Sequence, residues 1–103
     1  MIELEHEMIV CIVNAGFSGE VMEVAHSLGV RGGTMLHARG TANKEAEKIF
    51  NVSITPEKDM LFMVVTKDLT EKVLKELYEK VGFGTEASGI VFALPVSNQV
   101  GIK

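Results

Sequence analysis

The clearest candidate for chemistry is a loop of small residues near the carboxyl end of the chain. This loop covers residues 82–89, reads GFGTEASG and leads into an apolar segment. Such loops can present backbone N–H groups to an anion, but ordinary helix-to-strand connections look the same. Because the sequence has neither a Walker A loop nor a G-x-G-x-x-G motif after a strand, the usual phosphate-binding signatures are lacking. Spacing alone therefore leaves both interpretations open.

A second candidate is a pair of basic side chains, His37 and Arg39, which alternate with Leu36 and Ala38. Alternation along a strand places His37 and Arg39 on one face, close to the start of a long connecting segment. Such a pair could bind an anion, or it could be the solvated or interface-facing end of a strand. From the sequence alone we favour the second interpretation.

The other reactive side chains are dispersed. Helical periodicity places His26 beside an apolar stripe, which predicts a surface histidine, and His6 lies in a segment expected to fray. Cys11 falls inside an apolar strand, where cysteine is usually a small inert core residue. No Ser-His-Asp order, paired-carboxylate motif or H-x-x-x-H spacing occurs, and one cysteine with three histidines makes a poor metal set. We therefore expect neither an enzyme nor a metal site.

Length and composition predict a single domain over residues 1–103. The formal net charge is −4 with scattered Lys and Arg, which argues against a nucleic-acid partner because binding would need a basic stripe. The start, MIELEHEM, is acidic and polar, unlike a signal peptide. Apolar runs are far shorter than a membrane span, so we expect no membrane insertion and a cytoplasmic location.

Apolar patterning and breaker residues divide the chain into four strands and two helices. Gly29 is positioned to end the first helix, with Ser18 as its predicted N-cap. Asp68 and Glu71 resemble a capping box at the start of the second helix. The predicted elements are strand Met8–Val13, helix Phe17–Leu28, strand Thr34–Arg39, strand Met60–Thr66, a helix from Asp68 to Val81, and strand Ile90–Leu94. This order predicts an α+β, ferredoxin-like βαββαβ sandwich with an antiparallel sheet.

The predicted strands are more apolar than such a sandwich requires. Two helices can cover only one face of a four-stranded sheet, so the other face should carry polar residues. Strand Met60–Thr66 instead has Met60, Phe62 and Val64 on one face and Leu61, Met63 and Val65 on the other. The chain is too short to cover the second face itself. We therefore predict that a partner subunit covers it.

The connection between the second and third strands is the other unusual feature. It extends over residues 40–59, whereas strand hairpins usually need about two to five residues. Asn43 could cap a short helix, Lys44–Phe50, before Pro56 returns the chain to the sheet. A loop of this length favours a functional role.

Taken together, these segments resemble the PII nitrogen-regulatory family from Met8 to about Val96. The resemblance depends on the order and spacing of several motifs rather than on any single one. The motifs are Phe17 opening the first helix, the GVRGGT run at residues 29–34, Arg39-Gly40 opening the long loop, the apolar strand Met60–Val65, and Gly84–Gly89 running into Ile90-Val91-Phe92.

The resemblance implies a homotrimer whose sheets face inward, with an adenine nucleotide (ATP, ADP or AMP) as effector between neighbouring subunits and no required cofactor. The long loop, residues 40–59, would control a transporter, enzyme or regulator, with nitrogen status as a candidate signal. The ligand-binding residues implied by the family are Gly33, Thr34 and Val64 near the base and ribose, Arg39 and Gly40 at the loop base, and Ala87, Ser88 and Gly89 near the phosphates.

The chain departs from the family where phosphates are bound. Members that bind ATP well usually carry a lysine after the loop glycine, where this chain has Ile90, and a second loop glycine is replaced by Ala87. Two arginines of the C-terminal strand correspond to Gly101 and Lys103, which leaves Lys103 as a remaining cationic candidate. Each charge-assisted contact is worth roughly 1.5–3 kcal/mol. We therefore expect little preference for ATP over ADP or AMP.

An alternative is a cation-tolerance-type protein or a small ferredoxin-like enzyme, because one fold hosts many functions. A metal-binding version needs clustered ligands, which this sequence lacks. An acylphosphatase-like enzyme needs an arginine near the first strand, where Asn14-Ala15-Gly16 stands. Regulation is therefore the leading hypothesis.

Overall fold

The computed structural model describes residues 5–41 and 56–102 of the chain. Four strands form one antiparallel sheet in the spatial order β2-β3-β1-β4, and two helices join them in a βαββαβ sequence. The elements are β1 (His6–Asn14), α1 (Ser18–Ser27), β2 (Thr34–Arg39), β3 (Glu57–Thr66), α2 (Lys67–Val81) and β4 (Ile90–Pro95). The predicted α+β ferredoxin-like fold is thereby confirmed.

The two central strands are longer than the sequence predicted. β1 gains residues at both ends, and β3 begins three residues earlier, at Glu57. Their register pairs Cys11 with Leu61 and continues from His6 opposite Thr66 to Asn14 opposite Lys58. Polar residues at these strand ends resemble loop residues in sequence, but pairing with neighbouring strands satisfies their backbone groups. His6 therefore belongs to the sheet and is not in the frayed segment that we expected.

One face of the sheet carries the core, and we call it the helix face. Alternate residues of β1 and β3 pack there against both helices. The buried apolar members from these strands are Ile9, Cys11, Val13, Leu61, Met63 and Val65. α1 contributes Val21 and Ala25 to the same cluster, as its predicted stripe requires.

The helix ends depart from prediction at their amino termini. Ser18 is the first helical residue rather than the N-cap, a position held by Phe17 without a side-chain hydrogen bond. α2 begins at Lys67 after Thr66, again without a side-chain cap, so Asp68 lies in the first turn and the predicted capping box does not form. At the other end of α1, Gly29 has φ +97° and donates its N–H to the His26 carbonyl at 3.1 Å, as expected of a terminating glycine.

α2 buries four side chains against the sheet: Thr70, Val73, Leu77 and Val81. The Thr70 hydroxyl has no hydrogen-bond partner in the part of the chain that the structure describes. The helical periodicity of the sequence predicts a buried stripe that includes Tyr78 together with Val73 and Leu77, but Tyr78 is exposed in the structure. Thr70 occupies the inward position because it lies three residues before Val73 and seven before Leu77, a spacing that hydropathy alone did not favour.

The opposite face of the sheet, which we call the open face, is covered by no element of the described chain. Strand register assigns it the apolar residues Met8, Val10, Ile12, Leu36, Met60, Phe62, Val64, Ile90, Phe92 and Leu94. Ile90 is 62 % exposed and Leu36 is 51 % exposed. The sheet is therefore apolar on both faces, as the sequence predicted.

Two sequence predictions lie outside the described residues. These are the short helix Lys44–Phe50 and the proposed role of Lys103. Within residues 5–41 and 56–102, no helix is both long and apolar enough to cross a membrane.

Candidate functional site

The loop between α2 and β4, residues 82–89, is closed by its own hydrogen bonds. Thr85 donates both its N–H and its hydroxyl to the Gly82 carbonyl, at 3.1 and 2.7 Å. The Ser88 N–H donates to the Thr85 carbonyl at 3.0 Å, and the Gly89 N–H donates to the Val81 carbonyl at 2.7 Å. The loop is a compact turn attached to the end of α2.

These bonds bear on how the loop could bind an anion. The sequence predicted that N–H groups of Ala87, Ser88 and Gly89 approach a phosphate. The N–H groups of Ser88 and Gly89 already donate to carbonyls, and Ala87 is buried. An anion could use the first two donors only if the turn rearranged, so the assignment of these three residues stays a prediction. Ser88 has φ +46°, an uncommon conformation for a residue other than glycine.

Asn14, at the end of β1, fixes the position of this loop. Its backbone N–H donates to the Ala87 carbonyl at 2.8 Å, and its Nδ2 donates to the Glu86 carbonyl at 2.9 Å. Its Oδ1 accepts from Lys58 Nζ at 2.6 Å. One side chain thus connects the loop to β3.

At the other edge of the sheet, β2 and the neighbouring strand β3 hold the residues predicted near the base and ribose. Thr34 pairs with Phe62, which places it on the open face that also holds Val64. Gly33 precedes them in close contact with the sheet, since an added Cβ would lie 2.9 Å from the Phe62 carbonyl oxygen and from the Met63 Cγ. A side chain at position 33 would therefore displace β2 from β3.

The base of the long loop is also part of this edge. Gly40 N–H donates to the Pro56 carbonyl at 2.8 Å, which closes the two ends of the connection. Arg39 pairs with Glu57 in the strand register and shares the helix face with His37. Arg39 therefore points away from the face that carries Thr34 and Val64.

The predicted ligand-binding residues fall into two groups within one chain. Gly33, Thr34, Arg39 and Gly40 lie at or beside β2, whereas the 82–89 loop leads into β4, and these strands form opposite edges of the sheet. Three strand spacings separate the edges, about 14 Å. A single chain therefore does not bring these two groups together.

The structure also reveals a polar interaction between β2 and β3 that the sequence did not predict. His37 Nδ1 lies 3.0 Å from Asp59 Oδ1, and Gly16 N–H donates to Asp59 Oδ2 at 3.1 Å. Asp59 is only 2 % exposed. The Gly16 hydrogen bond, aided by the hydrogen bond and charge of His37, lowers the pKa of the Asp59 carboxyl. The expected solvated strand end at His37 is therefore anchored to a buried anion.

This pair could have been found only with the correct strand boundaries. Asp59 lies within the segment predicted as loop, one residue before the predicted start of the third strand. Once β3 starts at Glu57, the register places Asp59 opposite His37. Carboxylates with a perturbed pKa and a specific charged partner are found often at functional sites.

The remaining reactive group, Cys11, is buried in the core. Burial raises the pKa of its thiol to about 11, so the nucleophilic thiolate is scarce at neutral pH. Among residues 5–41 and 56–102, no three His, Cys, Asp or Glu side chains converge as metal ligands.

Comparison with solved structures places this fold in a defined class. A PII-like signalling protein from Thermus thermophilus aligns with a TM-score of 0.68 and 16 % identity over 90 % of this chain and 87 % of its own. Arabidopsis thaliana PII bound to citrate aligns with a TM-score of 0.69 and 24 % identity, over 97 % of this chain and 82 % of its own. The third structure is CPII from Thiomonas intermedia, a nitrogen regulatory PII-like protein bound to ADP, AMP and bicarbonate. It aligns with a TM-score of 0.70 and 16 % identity, over 95 % of this chain and 97 % of its own. These similarities establish a PII-type fold.

The sequence itself identifies the family. The family model of nitrogen regulatory protein P-II matches residues 6–103, nearly the whole chain. The chain therefore belongs to the P-II family, and the resemblance drawn from its motifs is confirmed. At 16–24 % identity to these solved PII-type structures, it is a divergent member. No curated protein matches it significantly.

The loop packing predicts that Gly89 tolerates no side chain. A Cβ there would clash with the Val81 carbonyl and lie 3.0 Å from a Val13 methyl group. We expect Gly89→Ala to lower the free energy of unfolding by about 1–3 kcal/mol. Gly19→Ala is the matched control, because nothing lies within 4 Å of its added Cβ in α1, and it should be neutral or stabilising by up to about 1 kcal/mol. Equal effects of the two substitutions in denaturant unfolding would contradict the described packing.

The lowered pKa of the Asp59 carboxyl predicts how the free energy of unfolding depends on pH in the acid range. Because its pKa is lowered in the folded chain, its stabilising effect is present above the ordinary carboxyl pKa of about 4 and is lost as pH falls through the folded value. Asp59→Asn should cost about 1.5–3 kcal/mol at pH 7, and the difference from wild type should shrink below about pH 4.

The control for Asp59→Asn is Glu57→Gln, which removes an exposed carboxylate from the same strand and should change stability little. Both are measured by denaturant unfolding from pH 3 to 8 at one protomer concentration. A cost for Asp59→Asn that is independent of pH would show that its charge is not what stabilises the fold.

Proposed function

We propose that this chain is a PII-type regulatory protein that works as a homotrimer in the cytoplasm. In this proposal it senses a small ligand between subunits and controls a partner protein through residues 40–59. The P-II family is regulatory rather than catalytic, and we infer that this member is not an enzyme. The family description, nitrogen regulatory protein, is the reason to propose nitrogen status as the signal.

The observation that carries the proposal is the apolar open face. Phe92 and Val64 are each 40 % exposed and Leu94 is 44 % exposed, although all three lie on regular strands. Large contiguous apolar patches on soluble proteins mark interaction surfaces. Burying such a face removes about 25 cal/mol of unfavourable hydration per Å². Copies of the same chain are the partners that the family supplies for this face.

A ligand cleft between subunits is supported by the separation of the predicted site residues. The β2 group of one chain and the 82–89 loop of another could flank one ligand, whereas the same two groups of one chain lie on opposite sheet edges. An adenine nucleotide is proposed because the Thiomonas intermedia protein of the same fold is bound to ADP and AMP. The citrate bound to the Arabidopsis protein makes a small polyanion the next candidate.

Phosphate selectivity should be weak in such a cleft. Ile90, at the position of the family lysine, is 62 % exposed on the open face beside the loop. It offers no charge to a terminal phosphate, and the N–H groups of Ser88 and Gly89 are engaged within the turn. AMP and ADP would therefore bind with nearly the same affinity as ATP.

The proposed assembly predicts that a charge introduced on the open face disrupts the oligomer, whereas a charge introduced on a helix does not. Phe92→Glu places a carboxylate on the open face and should convert a particle of about three 11.2 kDa chains into monomers. Tyr78→Glu is the control, because Tyr78 is also aromatic and is 58 % exposed but lies on α2, and it should leave the mass unchanged. Light scattering at micromolar concentration measures both. A monomeric wild-type protein would overturn the proposed assembly.

The proposed selectivity predicts the outcome of calorimetry with ATP, ADP and AMP. We expect their affinities to agree within about tenfold, since tenfold requires about 1.4 kcal/mol from a further cation. Ile90→Lys should raise ATP affinity by about tenfold or more and AMP affinity much less, because a charge-assisted contact contributes about 1.5–3 kcal/mol. Ile90→Met is the uncharged control. A wild-type affinity for ATP that exceeds the affinity for AMP by about tenfold or more would contradict the proposal.

A further inference from the structure

The side chain of Asn14 contacts two segments to which the proposed function gives different tasks. Its Nδ2 donates to the Glu86 carbonyl at 2.9 Å, and its Oδ1 accepts from Lys58 Nζ at 2.6 Å. Glu86 belongs to the 82–89 loop, the proposed contact for a phosphate. Lys58 lies on β3, directly opposite Asn14 and next to the point where the long loop returns to the sheet. One amide group therefore joins the ligand-binding segment to the base of the controlling segment.

The Lys58 side chain extends this contact to the other end of the long loop. A Cβ added at Gly40 would lie 3.4 Å from Lys58 Cε and 3.6 Å from Lys58 Cγ, so the lysine stem passes directly over Gly40. The Gly40 N–H donates to the Pro56 carbonyl at 2.8 Å, which closes the loop. A free lysine side chain has many rotamers. Because Asn14 holds the ammonium, the stem stays over this closing hydrogen bond.

The Asn14 amide fits its two partners in one orientation only. The Glu86 carbonyl can only accept a hydrogen bond, and the Lys58 ammonium can only donate. The amide nitrogen must therefore face the 82–89 loop while the amide oxygen faces Lys58. If the Glu86 carbonyl moves and the amide turns to follow it, the oxygen leaves the ammonium.

The 82–89 loop needs a second arrangement in order to hold a phosphate. In the described structure the N–H groups of Ser88 and Gly89 donate to carbonyls within the turn and at the end of α2. Those two groups become available to an anion only when the turn rearranges. Because Glu86 lies in the same short turn, a rearrangement displaces its carbonyl from Asn14.

We propose that Asn14 couples the ligand state of the 82–89 loop to the closure of the long loop within each chain. The proposal rests on the proposed function, since a ligand phosphate is what rearranges the 82–89 loop. Without ligand, Asn14 holds Lys58 over Gly40. With ligand, the Glu86 carbonyl moves, Asn14 releases the ammonium, and the closing hydrogen bond of Gly40 loses its cover. Asn14 is thus a positioning residue that acts through Lys58.

Two substitutions interrupt this contact on either side of Asn14. Asn14→Asp keeps an oxygen for the Lys58 ammonium but has no donor for the Glu86 carbonyl. Lys58→Met keeps an apolar stem but has no ammonium for Asn14. The backbone N–H of Asn14 still donates to the Ala87 carbonyl in both variants. They therefore test the side-chain contact while this backbone connection remains.

The test is a double-mutant cycle that perturbs the 82–89 loop without any ligand. Thr85→Val removes the hydroxyl that donates to the Gly82 carbonyl and keeps the shape of the side chain. Hydrogen exchange of the Gly40 amide is measured by NMR on the full chain. It is divided by the exchange rate of the Leu61 amide in the same variant, which corrects for changes in global stability. We expect Thr85→Val alone to raise this ratio at least about threefold, within the usual range of coupling energies between sites.

In the Asn14→Asp and Lys58→Met backgrounds, adding Thr85→Val should leave the ratio unchanged. Lys72→Met is the matched control, because Lys72 is an exposed lysine on α2, and the response to Thr85→Val should persist in it. No response in the otherwise wild-type chain would overturn the proposal. A full response in either Asn14→Asp or Lys58→Met would also overturn it, since the loops would then communicate without this contact.

Titration of the wild-type chain with ADP tests the proposed function separately. The amide signals of Ser88 and Gly89 should shift as the 82–89 loop rearranges. If ADP leaves both signals unshifted, the proposed nucleotide is contradicted, and the cycle measured without ligand still decides whether Asn14 couples the two loops.

Discussion

Burial of the sheet is the constraint on which the rest of this structure depends. Two helices of 10 and 15 residues lie on the helix face, where they complete the core around β1 and β3. The open face has almost the same apolar character but no element of the described chain to cover it. Hydrophobic burial is the dominant favourable term in folding and in most association. The same strands therefore supply both the core of the folded chain and an exposed apolar surface that favours association.

The polar interactions are arranged around that sheet and determine where function can reside. Asp59 anchors the edge strand β2 to the turn before α1, and Asn14 anchors the 82–89 loop to the end of β1. Both lie at the end of the sheet where the long loop leaves and returns. Functional loops are commonly positioned by a rigid scaffold. The contact between His37 and the buried Asp59, together with the Asn14 contacts, supplies such a scaffold from residues that resemble loop residues in the sequence.

The sequence predicted the order of the elements and the apolar face because both follow from periodicity. β2 was predicted with the observed bounds, and Gly29 ended α1 as expected. The helix starts were wrong because Ser18 and Asp68 have the chemistry of caps without the required backbone position. The His37–Asp59 pair could not be predicted, because it depends on a strand register that begins among charged residues. The site residues transferred from the family remain predictions, since hydrogen bonds within the loop engage two of their donors.

The central claim is that other copies of the chain cover the open face. Three methyl-bearing side chains test it directly, because their exposures in one chain are nearly equal: Val64 at 40 % and Leu94 at 44 % on the open face, and Met35 at 41 % on the helix face. Relaxation of their methyl signals by a soluble paramagnetic probe reports which are accessible in solution. We expect strong relaxation at Met35 and protection at Val64 and Leu94. Equal relaxation at all three positions would contradict the claim.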